Sequence, residues 1–399
     1  MRIRLATHLP THLLAILACL SACGGDHTTP STAPSTTPNH RIAAGGATNC
    51  RIDGGTGALA CWGANDLGQI GHGSISLGGI ATPTRVDFGP SLRVLQVALG
   101  VSHACALLSD HSVRCWGDNS QGQLGQDTAA YPYSTLPMAV AGVSAKALAL
   151  GFEHSCVINL TDAVQCWGGN SKGQLGQSPT TLTRSALPQT IGLGPGQSAK
   201  DIQSGYNHLC LIARDDTVQC WGDNQYGQLG DQTQVDRAVP VVAHGLSNVH
   251  VLSTGAYHSC AATGATLSCW GHNQMGQLGS TPGTDLSTPT PFALPGGVVN
   301  AVSQLAAGLA HTCALIPITT GGSVQCWGSN ANHQLSGTST GSILPVTVPL
   351  NSAPEQLVSG LNHSCIQSAD HQTWCWGAGS SGRLGPQTTL DAVTPVSVP

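Results

Sequence analysis

Residues 205–230 read GYNHLCLIARDDTVQCWGDNQYGQLG, and the same text returns along the whole chain. Its second half, opened by Cys-Trp-Gly, starts at positions 61, 115, 166, 220, 269, 326 and 375, with spacings of 54, 51, 54, 49, 57 and 49 residues. Its first half, Gly-x-x-His-x-Cys, precedes six of the seven as GVSHAC, GFEHSC, GYNHLC, GAYHSC, GLAHTC and GLNHSC. A repeat of this length marks small units that cannot each bury a core alone and must stack on their neighbours. Residues 41–399 divide into seven such units.

The text between the halves predicts a β-hairpin. From His103 to Trp116 apolar residues alternate into the polar turn Ser109-Asp110-His111 and return through Val113. Opposing Cys105 and Cys115 places Leu108 across from Ser112 around a three-residue loop. In the fifth repeat the centre falls between Gly264 and Ala265, which suits a two-residue type II′ turn. The cysteines then face each other across antiparallel strands within disulfide range. The pairs are Cys50/Cys61, Cys105/Cys115, Cys156/Cys166, Cys210/Cys220, Cys260/Cys269, Cys313/Cys326 and Cys365/Cys375, which use fourteen of the 16 cysteines. After Trp-Gly, Asn-x-x-Gly-Gln-Leu-Gly signals a turn. A variable stretch leads on to a Pro-Val strand, as in Pro240-Val241-Val242, Pro345-Val346 and Pro395-Val396. Several short strands per unit, seven times over, predict an all-β fold: a seven-bladed β-propeller with one intra-blade disulfide per repeat. The last segment, PVSVP, is expected to pair beside Arg41 to Asn49 and so close the ring.

These motifs resemble the repeats of the regulator of chromosome condensation family, seven-bladed propellers with WGxNxxGQLG text. The resemblance covers residues 44–399. The chain departs from the pattern at Thr48, which takes the His position of repeat one. His333 and Ser336 interrupt Gly-Gln-Leu-Gly in repeat six, and Gly379 replaces Asn in repeat seven.

Working outward to the N-terminus, Arg2 and Arg4 precede an apolar run of eight, Leu13 to Leu20, too short to span a bilayer but suited to an export signal. Leu20-Ser21-Ala22-Cys23-Gly24 resembles the lipobox of bacterial lipoproteins, which implies cleavage after residue 22 and lipidation of Cys23. Gly24, where Asp is absent, implies outer-membrane sorting in the cell envelope; a secreted form is the other expectation. Residues 23–40 are the lipidated Cys and a Thr/Ser/Pro tether with no core-forming residues. The expected organisation is 1–22 signal peptide, 23–40 anchor and tether, 41–399 propeller.

Composition narrows the function. Charged residues are 8% of the chain, against about 25% in ordinary soluble domains. Net charge is −5, and without the two signal-region arginines 12 basic residues face 19 acidic ones. Nucleic acid is excluded as a partner, because that binding neutralises phosphates with Lys and Arg. The six repeat histidines (His103, His154, His208, His258, His311, His363) tempt a metal reading. Equivalent positions in adjacent blades stand about 10 Å apart, too far to share one ion, so each imidazole is expected to bond backbone within its own blade. The seven marker tryptophans are expected to wedge between blades; Trp374 alone lies outside the markers. No thiol is left as a nucleophile and no hydrolase or phosphate-loop motif occurs. Asp110, Asp215, Asp216 and Asp370 fall in hairpin turns.

The informative text is variable. Segments 72–90, 126–137, 177–196, 231–239, 280–297, 336–345 and 386–394 differ while their flanks repeat, and they carry Tyr131, Tyr133, Arg85, Arg184, Asp236, Arg237 and Phe292. A second set lies in the Gly-x-x-His motif: Phe152 and Tyr206 directly follow the opening Gly, and Tyr257 stands one place further on. Tyr and Arg are favoured anchors in interfaces. The sequence therefore predicts a monomeric, lipid-anchored propeller, not an enzyme and without metal or cofactor. It binds an extracytoplasmic protein by loops on one face, through Tyr131, Tyr133, Arg237, Phe152, Tyr206 and Tyr257. The alternatives are an envelope- or carbohydrate-binding module, or a propeller lyase or hydrolase with its site at the axial mouth.

Overall fold

Each His-x-Cys and Cys-Trp-Gly pair lies on two neighbouring antiparallel strands in the computed structural model, which describes residues 42–264, 266–294, 302–317 and 322–399. The signal, Cys23 and the tether lie outside the described residues. Blade 1 is β1 (Ile42–Gly45), β2 (Thr48–Ile52), β3 (Leu59–Asn65) and β4 (Ser76–Val86), in that order across the sheet. Blade 2 is β5 (Val94–Leu99), β6 (His103–Leu108), β7 (Ser112–Asp118) and the first part of β8 (Tyr133–Leu150). The long β8 runs on to pair with β9 (His154–Asn159), and β10 (Val164–Gly169) and β11 (Arg184–Thr190) complete blade 3. Blade 4 follows with β12 (Ala199–Ser204), β13 (His208–Ala213), β14 (Val218–Gly222) and β15 (Arg237–Val242). Blade 5 is β16 (Val249–Thr254), β17 (His258–Thr263), β18 (Leu267–Gly271) and β19 (Leu286–Phe292). Blade 6 is β20 (Gln304–Ala307), β21 (His311–Ile316), β22 (Ser323–Ser329) and β23 (Gly341–Thr347). Blade 7 is β24 (Pro354–Ser359), β25 (His363–Ser368), β26 (Thr373–Gly377) and β27 (Ala392–Val398). First strands of adjacent blades touch one another, so they line the axis.

The hairpin register is the expected one. Cys105 faces Cys115, His111 N–H closes on Leu108 O at 2.9 Å, and His111 sits in the left-handed region at φ 64°. All seven cysteine pairs are bonded within their own blade: Cys50–Cys61, Cys105–Cys115, Cys156–Cys166, Cys210–Cys220, Cys260–Cys269, Cys313–Cys326 and Cys365–Cys375. Their Cα–Cα distances are 4.0–4.1 Å.

The Pro-Val segments are strands, as expected, and the ladder that joins them to the marker cysteines is interrupted in every blade. Cys61, Cys115, Cys166, Cys220, Cys269, Cys326 and Cys375 face Thr84, Met138, Gln189, Val241, Thr290, Val346 and Val396 of the fourth strand. The glycine two residues further on faces a residue four positions back, such as Arg237 opposite Gly222 or Ala392 opposite Gly377. The register shift therefore begins at the disulfide cysteine itself, and the fourth strand bulges there. Proline is the physical reason. Pro83, Pro137, Pro188, Pro240, Pro289, Pro345 and Pro395 each immediately precede the residue that faces the cysteine, and a proline has no N–H for a ladder bond.

The fifth-repeat turn also differs. Gly264 is not in the left-handed region, because Thr266 N–H is taken by the Thr263 hydroxyl at 3.0 Å and no type II′ geometry is needed; Ala265 lies outside the described residues. In repeat six His333 and Ser336 adopt the left-handed φ of the glycines they replace, 63° and 65°, so the turn survives. Gly379 stands where Asn was expected since an added Cβ would lie 1.9 Å from Leu390 O.

The ring closes otherwise than by the expected pairing of PVSVP beside Arg41 to Asn49. β27 pairs with β26 and β1 with β2, so both terminal strands complete their own blades, and among the described residues no strand is shared across the junction. Side chains close the ring instead, with one backbone bond from Leu361 N–H to Gly46 O at 3.2 Å. The histidines too depart from expectation: they reach across to the next blade and not into their own. His103 meets Ser155 at 2.9 Å, His154 Ser204 at 2.8 Å, His208 Ser259 at 3.0 Å and His258 Thr312 at 2.9 Å. His311 meets Ser364 at 2.9 Å, and His363 meets Asn49 at 2.8 Å, which joins blade 7 to blade 1.

The marker tryptophans, all fully buried, complete the seam. Trp116, Trp167, Trp221, Trp270, Trp327 and Trp376 donate their indole N–H to the backbone carbonyl of Gln69, Gln123, Gln174, Gln228, Gln277 and Gln334 in the preceding blade, at 2.8–2.9 Å. Trp62 does the same to Arg383 O at 3.0 Å. The hydroxyls of Ser155, Ser259 and Thr312 donate to three of these same carbonyls. Their protons are thus spent, so the facing histidines donate through Nε2–H and are neutral. The opening glycine lets the ring lie flat on the backbone: a Cβ on Gly205 would sit 2.3 Å from His208 Cε1 and 2.4 Å from Gly255 O.

The seam makes stability depend on pH. Burial holds His103, His154, His208 and His258 down at about 3 and His311 at about 4, against 6.5 for a free imidazole. The unfolded chain therefore takes up protons below pH 6.5 that the folded chain refuses. Stability is full above pH 6.5 and is lost progressively as pH falls to about 3. The thermal midpoint should drop across that window, and His208→Gln should flatten the slope; a level midpoint would contradict the assignment. A second prediction concerns blade 1, where Thr48 bonds Ala64 O in its own blade and the receiving position in blade 2 is Ala104. Donor and acceptor of one latch are missing together. Thr48→His with Ala104→Ser should stabilise by ~1 kcal/mol beyond the sum of the single changes in denaturant titrations. A double change that merely adds would show that the latch geometry is wrong.

Candidate functional site

The second strand of each blade runs from its His to the hairpin turn, and the third returns to Trp-Gly. The Gly-x-x-His turns and the Asn-x-x-Gly-Gln-Leu-Gly loops therefore share one face of the ring, and the hairpin turns occupy the other. Asn119 shows how the loops on the first face are held: its Oδ1 accepts Leu124 N–H at 2.9 Å and its Nδ2 donates to Tyr131 O at 2.6 Å. On the other face Asp110, Asp215 and Asp370 accept turn N–H and hydroxyl groups, bonds that hold their carboxyls below the usual range.

Every sequence-predicted partner residue lies at the first face. Tyr131 and Tyr133 are 47% and 44% exposed in the outer loop of blade 2, with Tyr133 paired to Asp118 at the start of β8. Arg237 is committed inside its own loop, with Nε 2.9 Å from the nearly buried Asp231 carboxylate. Phe292, read as a loop residue, instead packs on Trp327 with ring centroids 4.9 Å apart.

Phe152, Tyr206 and Tyr257 come together across blades 3, 4 and 5. Phe152 stacks on Tyr206 at 5.3 Å and 29°, and Tyr206 meets Tyr257 edge-on at 5.2 Å. The backbone beneath is stitched between blades: Phe152 N–H donates to Tyr206 O at 2.9 Å, and Tyr206 N–H to Ala256 O at 3.2 Å. Two residues not singled out in the sequence extend the row. Tyr226 meets Tyr257 at 5.5 Å and His272 at 4.2 Å. Both occupy x positions of WGxNxxGQLG, so the signal was available by comparing those positions across repeats. Blades 1, 6 and 7 carry small or aliphatic residues after the opening Gly: Gly46, Leu309 and Leu361.

Carboxylates border the rings. Asp118, Asp223 and His272 occupy the same x position after Trp-Gly in blades 2, 4 and 5. Burial raises the Glu153 carboxyl, helped by the Asp118 charge. Burial likewise raises Asp223, with Lys172 pulling the other way. Lys172 bridges Asp223 at 3.2 Å and Asp236 at 3.0 Å, bonds that outweigh its own burial and raise its pKa. His272 Nδ1 lies 3.1 Å from Asp285. Burial, with Tyr257 beside it, pushes the Tyr206 phenol up to about 12, so it stays a neutral donor. Among the described residues no group of three or more His, Cys, Asp or Glu could hold a metal ion. The surface offers π faces, phenol groups and carboxylates, a set suited to binding.

The profile of the RCC1-like domain matches residues 58–399. The ultraviolet-B receptor UVR8 of Arabidopsis thaliana is 29% identical over 346 residues, covering 84% of this chain and 76% of the receptor. The probable E3 ubiquitin-protein ligase HERC6 of Homo sapiens is 30% identical over 210 residues, 51% of this chain but 20% of that longer protein. Among solved structures, Prp20p from Saccharomyces cerevisiae, described with its binding to Gsp1p and histones, superimposes with a TM-score of 0.75 at 23% identity over 85% of each chain. Human WBSCR16 gives 0.71 at 21% identity, over 82% of this chain and 86% of that one.

Proposed function

The chain belongs to the family of RCC1-like domains, and from that premise we propose that it is a lipid-anchored, extracytoplasmic propeller that binds another protein, as a monomer, through the face bearing Phe152, Tyr206, Tyr257 and Tyr226. The observation that carries the reading is this row of part-exposed aromatic rings across three blades. Aromatic side chains of this kind supply large contact area at small entropic cost and anchor interfaces. Prp20p, of the same fold, is a protein that binds other proteins, which supports the reading for this chain as a proposal.

The compartment rests on two separate supports. Seven bonded cysteine pairs belong to an oxidising environment, where such bonds persist. The Arg2 to Cys23 text supplies an export signal and a lipid-acceptor cysteine, with residues 24–40 as the tether that lifts residues 41–399 from the membrane. Catalysis is not part of the proposal. Every cysteine among the described residues is bonded, and Asp223 is tied to Lys172.

Two experiments test this. Cys23→Ala should move the protein from the membrane fraction to the soluble fraction with its thermal midpoint unchanged; a variant that stays with the membrane refutes the anchor. Cross-linking in the intact envelope, followed by purification, should yield adducts that are lost in Phe152→Ala/Tyr257→Ala, in Tyr131→Ala/Tyr133→Ala/Arg237→Ala, or in both. Interface anchors of this type are worth ~2 kcal/mol or more each. Adducts that survive both sets of changes would remove the protein-binding role from this face.

A further inference from the structure

Resting on the protein-binding reading, we propose that the Phe152–Tyr206–Tyr257–Tyr226 surface receives a cationic side chain, a lysine or arginine within a basic segment of the partner. The first reason is the shape of the cluster. The first pair is stacked and the next two are edge-on, with interplanar angles of 29°, 71° and 73°. Rings tilted in this way turn π faces in different directions, and a π face attracts a cation.

The second reason is charge. Five carboxylates lie around the rings: Asp118, Glu153, Asp236 and Asp285 are part-exposed or exposed, and Asp223 is buried. Lys172 is held by Asp223 and Asp236, so it is occupied. Glu153 immediately follows Phe152, and its half-buried carboxyl is raised by burial and by Asp118. Such a carboxylate gains from an incoming cation that restores what burial removed. Tyr257 feels the Asp223 charge, and His272 beside Tyr226 is bonded to Asp285. Asp118, Asp223, Asp236 and Asp285 already have partners within the chain, so the half-buried Glu153 beside Phe152 is the acid that an incoming ammonium or guanidinium would satisfy together with the rings.

The third reason is placement. The symmetric positions of blades 1, 6 and 7 carry Gly46, Leu309 and Leu361 after the glycine, and Ala64, Ser329 and Ala378 after Trp-Gly. The clustered rings are therefore confined to blades 3 to 5, and the scaffold does not require them, since Val101 and Ala256 also stand after the glycine in blades 2 and 5. The acids are not confined in this way: Asp118 stands in blade 2, and Asp391 of blade 7 accepts a backbone N–H as Asp236 and Asp285 do.

The test uses the full chain, purified in neutral detergent, and fluorescein-labelled hexalysine and hexaarginine at moderate salt, with hexaglutamate and chitohexaose as comparisons. Anisotropy should show saturable binding of both basic peptides at one site, and none of hexaglutamate or chitohexaose. Tyr206→Leu/Tyr257→Leu should weaken binding about tenfold or more. Tyr206→Phe/Tyr257→Phe, which keeps the π faces, should retain it. Phe152→Leu, at the most exposed ring, serves if the double leucine variant loses its thermal midpoint. Glu153→Gln/Asp285→Asn should also weaken binding, and Asp87→Asn on the opposite face should not. Basic peptides that fail to bind, or that bind the leucine variants as well as the parent, overturn the proposal. So does chitohexaose binding at these rings, which would assign the surface to a sugar. If basic peptides fail while the envelope adducts still vanish in the Phe152 and Tyr257 variants, this inference falls and the protein-binding reading stands. If the adducts persist as well, both fall.

Discussion

The backbone carbonyl of the glutamine in six of the seven turns that follow Trp-Gly, and of Arg383 in the seventh, is the joint on which the ring depends. It belongs to one blade and accepts the indole N–H of the next, and at Gln123, Gln228 and Gln277 also a hydroxyl, which in turn accepts from a histidine. These groups are buried, so an unmade bond would cost the full desolvation of each partner. Several repeat identities are then explained at once. Trp fills the gap and brings a donor. The residue after His carries a hydroxyl where the latch exists and none at Ala104, where Thr48 cannot use it. Leu209 lacks a hydroxyl, and Ser204 on the neighbouring strand receives His154 instead. At the junction Asn49 does both jobs, accepting from His363 and donating to Arg383 O, so a chain with two ends closes without sharing a strand.

This arrangement suits a chain so poor in charge and in large side chains. Alanines, leucines and valines fill each blade, and seven tryptophans supply the volume between blades. The disulfides act inside blades and the His–hydroxyl–carbonyl chains act between them, so covalent and polar restraints do not duplicate one another. The outermost strands add a third device, the bulge that starts at each marker cysteine. In blade 3 Cys166 and Gly168 oppose Gln189 and Ser185 of β11. The extra residues press Ala186 toward the turn at Gly122 of the preceding blade and leave Pro188 on the edge strand, where a missing N–H costs no ladder bond.

How much of this was legible in the sequence follows from the range of each interaction. Hairpins, cysteine pairing and turn glycines are set by neighbours within about a dozen residues, and the text displays them. The bulges beside Cys61, Cys220, Cys269, Cys326 and Cys375 are less visible, because a variable loop separates each cysteine from the proline strand it faces and hides the register. Each latch joins residues one repeat apart, such as His208 and Ser259. A single sequence shows such positions side by side only once the repeats are stacked, and even then does not say whether a ring turns inward or across. The expected closure by PVSVP failed for the same reason: pairing between chain ends is a long-range choice, and β26 offers β27 a local partner first. Tyr226 and His272 were passed over because they stand inside the repeated text, where variation is easily taken for noise.

That last point locates function in a symmetric scaffold. A position that faces the next blade is fixed by seven copies of one demand, and substitutions there must be compensated across the seam, as Thr48 with Ala104 and Leu209 with Ser204 show. The position after the opening glycine carries no such side-chain demand; it holds Gly46, Val101, Phe152, Tyr206, Ala256, Leu309 and Leu361. Side chains there respond to whatever lies outside the ring. Aromatic rings gather on the face of the Gly-x-x-His turns in blades 3 to 5 and touch one another across blade boundaries, where other blades carry Gly46, Val101, Leu309 and Leu361 after the opening glycine. A surface that the fold leaves free, and that is furnished on one side only, is best explained by a ligand that approaches from that side.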